Sequence, residues 1–388
     1  MNIFLSLLPS GNASVPGSLT WLHNLYEPLL DLGHEVFLLR IDEAEKFLNV
    51  KSGTKKFKEA FSDYLLAKFR KEHSKKHFDF FLSYFQDKHI FPSVIDQIKK
   101  SGVPTANFSC NNTHQFYLTK DIAPHYDFNL HSEKSAGEKF KKIGANPVWF
   151  QMAANPKYYH PIKCEKKYDV SFVGGNYSKR SYYIWQLLEN DLKVDCFGPN
   201  WLVKKPMPLT RNVVREFRRN LDVIRTLFVF SSEKRSEYSS RIALYDFNKQ
   251  LRNKYRANLH YPISDDEMLK LYSLSKISLG FLEVFGNHDP SSITKQHLHL
   301  REFEAPMCGA LYLTNYCDEL AEFYEPDKEI LIFRNEHELL DKVKYYLSHP
   351  EEAEKIRLAG YNRALNCHTY QRRFKVLFRK IELEKNEQ

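Results

Sequence analysis

The chain has 388 residues, of which 43% are hydrophobic and 27% are charged, and its formal net charge is +9. This length exceeds what a single hydrophobic core usually serves, so the sequence predicts two domains. The composition is that of an ordinary globular protein, and no apolar run approaches the length of a membrane span.

The first residues and the cysteines bear on the cellular compartment. The amino-terminal stretch lacks a basic region and is interrupted by Pro9, so we expect a first buried strand and no secretory signal. The six cysteines form no Cys-x-x-Cys pair, and none lies beside histidines at the spacing of a zinc finger. We therefore expect no disulfide framework, no metal site and a cytoplasmic location.

Apolar runs alternate with helical patterns in the first third of the chain, which is typical of parallel α/β units. The expected strands are residues 2–8, 34–39, 78–85 and 104–110, and the expected helices are 18–32, 94–100 and much of 43–76. The loop at 11–17 has no Gly-x-Gly-x-x-Gly pattern. It either admits a phosphate or a sugar, or is an ordinary turn between strand and helix.

Polar residues follow the strand predicted at 104–110, at the end of a parallel strand where α/β proteins usually bind ligands. Asn112 and His114 are the candidates there, and we predict that both line the acceptor side of a cleft. An imidazole in this place can bond sugar hydroxyls or transfer a proton. The alternative is a histidine that only caps the loop.

A second α/β unit is predicted to begin with a strand at 168–173. The loop after this strand carries Gly174 and Gly175, and the next helix starts with the cations Lys179 and Arg180. Two glycines let backbone amides approach a ligand, and cations in the first helical turn can meet a diphosphate. The alternative is a solvated helix start.

The positive charge is concentrated in one segment. Residues 203–256 contain 14 Lys and Arg but only 5 Asp and Glu, an excess that equals the net charge of the whole chain. Between Val213 and Phe230 the cations alternate with aromatic and aliphatic residues in a helical pattern. We predict that this insertion contacts an anionic partner, either a membrane surface or a phosphorylated acceptor, which would place the protein at the membrane periphery. The alternative is a solvated face.

The stretch from Arg301 to Thr314 indicates a helix, a tight turn and a strand. Arg301 and Glu304 lie one turn apart and share a helical face. Gly309 suits the left-handed residue that ends a helix, and residues 310–313 form an apolar run. We expect the charged pair to point into a cleft at the edge of a sheet.

A polar loop precedes that helix. His288 in this loop is predicted to contact an anionic ligand, although it could instead only form the turn. Ser291 or Ser292 is the predicted N-cap of the helix that contains Glu304.

The sequence REFEAPMCGALYLTNYCDELAEFYEPDKEILIF and the helical sequence HELLDKVKYYLSHPEEAEKIRLAGYNRALNCHTYQRR resemble the donor-binding half of family 4 (group 1) glycosyltransferases. The nearest branch is the one typified by spore maturation protein B. The resemblance implies the GT-B class of α/β fold, in which two Rossmann-like domains face each other across a cleft. The expected parts are an acceptor-side domain at 1–160, a donor domain at 161–370 with the insertion at 203–256, and a helix at 371–388 that crosses back.

The resemblance also implies an activity. The protein would be a glycosyltransferase of the hexosyl type that moves a sugar from a UDP- or GDP-sugar to a hydroxyl of a glycan, lipid-linked or other acceptor, with retention. Glu304, beside Arg301, would hold the ribose. Arg180, with Lys179, would neutralise charge on the leaving diphosphate, a role that makes a bound metal or a further cofactor unnecessary.

Three other functions remain open. One is a nucleotide-sugar epimerase or phosphorylase of the same fold. A second is an inactive binding protein, because many retaining members carry a glutamate where this chain has Gln296, and relatives often have an acidic residue at the position of Asn112. The third is nucleic-acid binding through the basic segment, but no accompanying motif supports it, so we expect no nucleic-acid partner.

Overall fold

A computed structural model describes residues 1–10, 15, 18–202, 209–228, 239, 245–284 and 295–386. The chain forms two compact units. The first contains residues 1–10, 18–158 and 367–386, and the second lies between Tyr159 and Asn366. The carboxy-terminal segment therefore belongs to the first unit.

The described strands are short and mostly apolar. They are β1 (Asn2–Leu7), β2 (Glu35–Arg40), β3 (Phe80–Ser83), β4 (Thr105–Ser109), β5 (Phe128–His131), β6 (Pro147–Trp149), β7 (Tyr168–Val173), β8 (Val194–Phe197), β9 (Leu259–His260), β10 (Ser275–Leu279), β11 (Glu283–Val284), β12 (Lys295–Gln296), β13 (Tyr312–Asn315) and β14 (Leu331–Phe333).

Each unit is built on a parallel sheet of six strands. The order is β2-β1-β3-β4-β5-β6 in the first unit and β14-β13-β10-β7-β8-β9 in the second. The remaining two strands, β11 and β12, pair as a small antiparallel ribbon. All-parallel sheets need crossover connections, which helices supply here.

The α-helices are α1 (Glu27–Asp31), α2 (Ile41–Leu48), α3 (Lys55–Lys75), α4 (Pro92–Lys99), α5 (Asn112–Gln115), α6 (Gly137–Lys142), α7 (Arg180–Glu189), α8 (Leu209–Phe228), α9 (residues 245–254), α10 (Asp265–Leu274), α11 (Arg301–Met307), α12 (Asp318–Ala321), α13 (Glu336–Ser348), α14 (Pro350–Cys367) and α15 (Tyr370–Asn386). A π-helical turn at Leu22–Tyr26 precedes α1. None of the described helices combines the length and the apolar character needed to cross a membrane.

Phenylalanines dominate the core of the first unit. The Phe4 ring on β1 stacks on Phe37 of β2 and Phe81 of β3, with centroids 5.1 and 5.4 Å apart. Phe69 of α3 meets Phe4 edge to face at 5.6 Å. Burying rings of this size contributes most of the apolar area that holds α3 against the sheet.

The second core forms around the central strand β7. Val170 and Phe172 alternate along this strand and are buried, and they belong to the same cluster as Ile184 and Leu187 of α7. Residues two apart on a strand and three apart on a helix share a face, so both elements present an apolar side to each other. The start of α7 is thereby fixed at the carboxyl end of β7.

Most predicted elements are confirmed, but the start of α11 is a correction. The predicted N-caps Ser291 and Ser292 lie outside the described residues, and α11 begins only at Arg301. The intervening Lys295 and Gln296 pair with β11 as a strand, so the chain is extended where a helix was expected.

Candidate functional site

The loops after β7 and β8 meet at one edge of the second sheet. The Gly174 amide donates to the Phe197 carbonyl oxygen at 2.9 Å, and the Trp201 indole donates to the Gly174 carbonyl oxygen at 2.7 Å. A Cβ atom at Gly174 would lie 2.6 Å from the Phe172 ring, and one at Gly198 would lie 2.2 Å from the Gly174 oxygen. Glycine is required here because the two loops approach closely. The Gly174 amide is already engaged within the protein.

The loop then leads into α7 through a fixed turn. The Asn176 amide donates to the Pro199 carbonyl oxygen at 2.9 Å. Ser178 has a left-handed backbone with φ of 54°, and its hydroxyl donates to Glu283 at 3.2 Å. These contacts hold the residues between Gly175 and α7 in one conformation.

Arg180, the first residue of α7, is 5% exposed. Its Nη1 donates to the Gly175 carbonyl oxygen and its Nη2 to the Phe281 carbonyl oxygen, both at 3.0 Å, and its guanidinium lies 3.7 Å from the centre of the Tyr177 ring. No carboxylate in the described part of the chain forms an ion pair with Arg180, and its buried Nε has no hydrogen-bond partner there. Burial lowers the pKa of Arg180, although a guanidinium stays charged in proteins.

Lys179 lies next to this buried cation and is exposed. The two residues therefore supply one cation in the interior and one at the surface, at the amino-terminal end of a helix of 10 residues. A helix start carries partial positive charge of its own. Positive potential from three sources thus meets at the carboxyl end of β7.

Arg301 and Glu304 form the predicted pair on α11. Arg301 Nη1 donates to Glu304 Oε2 at 2.7 Å, and the side chains are 31% and 0% exposed, respectively. The other oxygen, Oε1, is buried and makes no hydrogen bond of standard geometry to described residues. Burial, followed by the charge of Glu304, raises the pKa of the neighbouring Tyr159. The carboxylate is thus inside the unit, and the arginine is the part of the pair that has exposed surface.

Glu302, between these two residues, is a functional candidate that the sequence analysis missed. Its Oε1 accepts from the Tyr312 hydroxyl at 3.0 Å and its Oε2 from the His299 amide at 2.7 Å. Burial raises the pKa of Glu302 to about 7. Gly280 makes room for this arrangement, since a Cβ atom there would lie 2.3 Å from the Tyr312 oxygen.

His297 extends the same polar cluster towards Arg180. It is 4% exposed, and burial together with the positive charge of Arg180 lowers the pKa of His297 to about 4. Its neighbour Gln296, at the position where many retaining relatives carry a glutamate, is exposed on β12. The predicted ligand contact His288 lies outside the described residues.

Asn112 and His114 lie together on α5, directly after β4. Asn112 is 1% exposed, and its amide donates to the Ser109 hydroxyl at 3.0 Å. This burial does not fit the predicted contact of Asn112 with an acceptor, because the side chain stabilises the turn instead. His114 is only partly buried, so it is the one of the two that has exposed surface.

Glu133 is a second candidate that the sequence analysis missed. It follows β5 and is 2% exposed. Its Oε2 accepts from the Thr113 amide at 2.5 Å, and its buried Oε1 has no hydrogen-bond partner within the described ranges. The only sequence signal was a polar Ser-Glu-Lys run after an apolar strand. Among the residues that the structure describes, no group of three or more His, Cys, Asp or Glu could hold a metal ion.

Comparison with known protein families decides the class of this protein. Residues 185–379 match the model of a family described as glycosyl transferase-like, which is just over half of the 388 residues. The chain belongs to this glycosyl transferase-like family. The matched range begins within α7 and ends within α15, so it contains the Arg301–Glu304 pair. No curated protein sequence matches the chain.

Solved glycosyltransferase structures share the fold of this family member at low sequence identity. Sucrose-phosphate synthase from Thermosynechococcus elongatus matches with a TM-score of 0.59 and 12% identity, covering 99% of both chains. A glycosyltransferase from Rickettsia africae matches with a TM-score of 0.56 and 12% identity, covering 98% of both chains. The HepE protein of Anabaena, solved with UDP and glucose, matches with a TM-score of 0.57 and 8% identity, covering 98% of this chain and 99% of that one.

These comparisons confirm two predictions for this glycosyl transferase-like protein. The fold is GT-B, with one six-stranded parallel sheet in each unit, and the enzyme class is glycosyltransferase. The structure brings Gly174, Gly175, Lys179 and Arg180 together in one loop. Their roles, and those of the Arg301–Glu304 pair, stay predictions.

Proposed function

We propose that this enzyme transfers a hexose from a nucleotide sugar, such as a UDP- or GDP-sugar, to a hydroxyl of a glycan, lipid-linked or other acceptor. Transfer proceeds with retention and without a bound metal, and the protein lies nearest to the branch typified by spore maturation protein B. The observation that carries the proposal is Arg180, a buried cation that has only carbonyl oxygens as hydrogen-bond partners.

A buried charge without an ionic partner is costly, because carbonyl dipoles replace only part of its lost hydration. A diphosphate would supply the missing negative charge. The same charge grows on the diphosphate as the bond to the sugar breaks, so a fixed cation stabilises the transition state more than the ground state. Lys179, exposed beside Arg180, adds a second positive charge that solvent-facing phosphate oxygens can reach.

The ribose is assigned to the Arg301–Glu304 pair. Glu304 Oε1 makes no hydrogen bond of standard geometry to described residues, so it retains the capacity to accept one from a ribose hydroxyl. Arg301 holds the other oxygen at 2.7 Å and keeps the carboxylate ionised and oriented. The solved complex of Anabaena HepE with UDP and glucose supports a nucleotide-sugar donor for a chain of this fold.

On the acceptor side, His114 is assigned to the acceptor hydroxyl. It is partly exposed and follows β4, where a parallel sheet usually presents its ligand-binding side chains. Replacing His114 with Ala should lower turnover and leave nucleotide affinity nearly unchanged, because the nucleotide contacts lie in the other unit.

Turnover with a panel of UDP- and GDP-sugars tests the proposal. The panel is first screened for donors that raise the melting temperature, and each hit is then incubated with candidate glycan and lipid-linked acceptors. We expect nucleoside diphosphate release that depends on acceptor and persists with a metal chelator. Donor binding without turnover on any acceptor would indicate an inactive binding protein, and isomerised sugar in the absence of acceptor would indicate an epimerase.

A further inference from the structure

Helix α8 carries an apolar stripe that faces away from the rest of the described chain. Val213, Phe217, Ile224, Leu227 and Phe228 recur at spacings of three, four and seven residues, so they share one side of the helix. Phe217, Leu227 and Phe228 are 63%, 72% and 73% exposed, respectively. No described residue covers this stripe.

Polar side chains of α8 face the protein instead. Arg219 pairs with Asp246 of α9 at 3.1 Å. Glu216 accepts hydrogen bonds from the Tyr245 hydroxyl and from the Lys249 ammonium group, both also on α9. The charged side of α8 is therefore used for packing, and its apolar side is left in contact with water.

This orientation is the reverse of an ordinary surface helix, which buries its apolar stripe and presents its charges to water. A contiguous exposed apolar surface marks a site that another molecule covers. We propose that α8 lies in the interface of an anionic lipid membrane, with the apolar stripe among the acyl chains.

The charges around the stripe select this partner. Arg218 is exposed, and Arg225, two helical turns further on, is 53% exposed at its side chain. Long cationic side chains at the edge of an apolar stripe can keep their charged ends at lipid phosphates while the stripe inserts. The excess of positive charge in residues 203–256 adds long-range attraction to an anionic surface.

A second copy of the chain would be the simplest other cover for the stripe. Contact between two such segments would bring two strongly basic surfaces together, and like charges would oppose the association. An anionic membrane meets both requirements, because it accepts the apolar side chains and neutralises the arginines.

Co-sedimentation of the full chain with vesicles tests the proposal. Vesicles of phosphatidylcholine, with and without phosphatidylglycerol, are used without any sugar nucleotide, so the result does not depend on the transferase activity. We expect binding to the anionic vesicles only, and weaker binding at high salt. The double variant Phe217→Ser/Phe228→Ser should bind at least ~10-fold more weakly, because each ring removes apolar area from the interface.

Matched variants separate the stripe from general effects. Phe47 on α2 is 73% exposed, like Phe228, so Phe47→Ser should bind as the wild type does. Arg218→Glu should weaken binding, whereas charge reversal at the exposed Arg379 of α15 should not. Circular dichroism would verify that each variant is folded.

Two results would overturn the proposal. One is unchanged vesicle binding by both Phe217→Ser/Phe228→Ser and Arg218→Glu. The other is a concentration-dependent dimer, detected by light scattering, that the double serine variant abolishes while the wild type ignores anionic vesicles. The second result would assign the stripe to another copy of the chain.

Discussion

Arg180 donates from Nη2 to the carbonyl oxygen of Phe281 at 3.0 Å, which ties the first residue of α7 to the chain just after β10. Two neighbouring strands of the sheet thus place this guanidinium, since the Gly175 carbonyl after β7 holds its Nη1. The position is set by the main chain and not by an acidic side chain. The positive charge therefore remains uncompensated where parallel sheets bind ligands.

Removing the Glu304 carboxylate should weaken nucleoside binding. If it accepts ribose hydroxyls, Glu304→Ala should cost roughly 1.5–3 kcal/mol of nucleoside affinity, the scale of a hydrogen bond to a charged group. Glu304→Gln should cost less, because its amide still offers one acceptor. Calorimetric titration of uridine and guanosine into each variant measures the difference.

Glu354→Ala is a suitable control for that experiment. Arg357 and Glu354 also pair at a spacing of three residues, but Glu354 is 50% exposed at its side chain, so nucleoside affinity should not change. A purely structural Arg301–Glu304 pair would give a different pattern. The melting temperature of Glu304→Ala would fall, while its folded fraction would bind nucleoside normally.

The pH dependence of stability should reveal Glu302. Burial raises the pKa of Glu302 from 4.5 to about 7, so the folded chain keeps this proton at pH values where the unfolded chain has lost it. Stability from this group therefore falls as the pH rises from 4.5 to about 7, by at most on the order of 3 kcal/mol. Urea unfolding of Glu302→Gln at several pH values should show that this loss is gone.

His297 acts in the opposite direction over nearly the same range. Its pKa is lowered from 6.5 to about 4 by burial and by Arg180. The unfolded chain thus binds this proton first, and stability from His297 falls as the pH drops below 6.5. The two effects partly cancel in the wild type. Relative to the wild type, Glu302→Gln should therefore gain stability as the pH rises, and His297→Gln should lose it. Parallel profiles for all three proteins would contradict both assignments.

Gly280→Ala should destabilise the second unit. The added Cβ would lie 2.3 Å from the Tyr312 oxygen and 2.8 Å from the Thr314 hydroxyl oxygen, so both side chains would have to move. Such overpacking costs about 1–3 kcal/mol. Gly137→Ala is the matched control, because its Cβ would have no neighbour closer than 3.6 Å. Equal urea midpoints for the two variants would mean that the space around Gly280 is not tight.

The elements that were predictable from sequence depend on local patterns. The strand at 168–173 was predicted with its observed bounds, because an apolar run ends at two glycines. Gly309 was expected to adopt a left-handed backbone at the end of a helix, and its φ is 69°. The cap predicted before Asp265 is also present, where Ser264 and Glu267 bond each other's backbone amides.

The features that sequence reasoning missed depend on contacts between distant residues. Glu302 lies between two charged neighbours and has the pattern of a surface residue, but Tyr312 and the space beside Gly280 bury it. The helical pattern of α8 was recognised. Which side of it faces outwards depends on pairing with α9, and periodicity alone does not determine that.

The central claim is that Arg180 binds the diphosphate of a nucleotide-sugar donor. Arg357, whose Nε donates to Glu354 at 2.6 Å, provides the control, because Arg357→Ala removes an arginine that already has a carboxylate partner. Circular dichroism would verify that the variants are folded before ligand is added.

Calorimetric titration of UDP, GDP, uridine and guanosine into the wild type and Arg180→Ala is the most direct test. The account predicts that diphosphate affinity falls by one to two decades, about 1.5–3 kcal/mol, while nucleoside affinity stays within error and Arg357→Ala changes neither. If a folded Arg180→Ala protein binds the diphosphates as tightly as the wild type does, or loses nucleoside affinity equally, Arg180 does not bind the diphosphate.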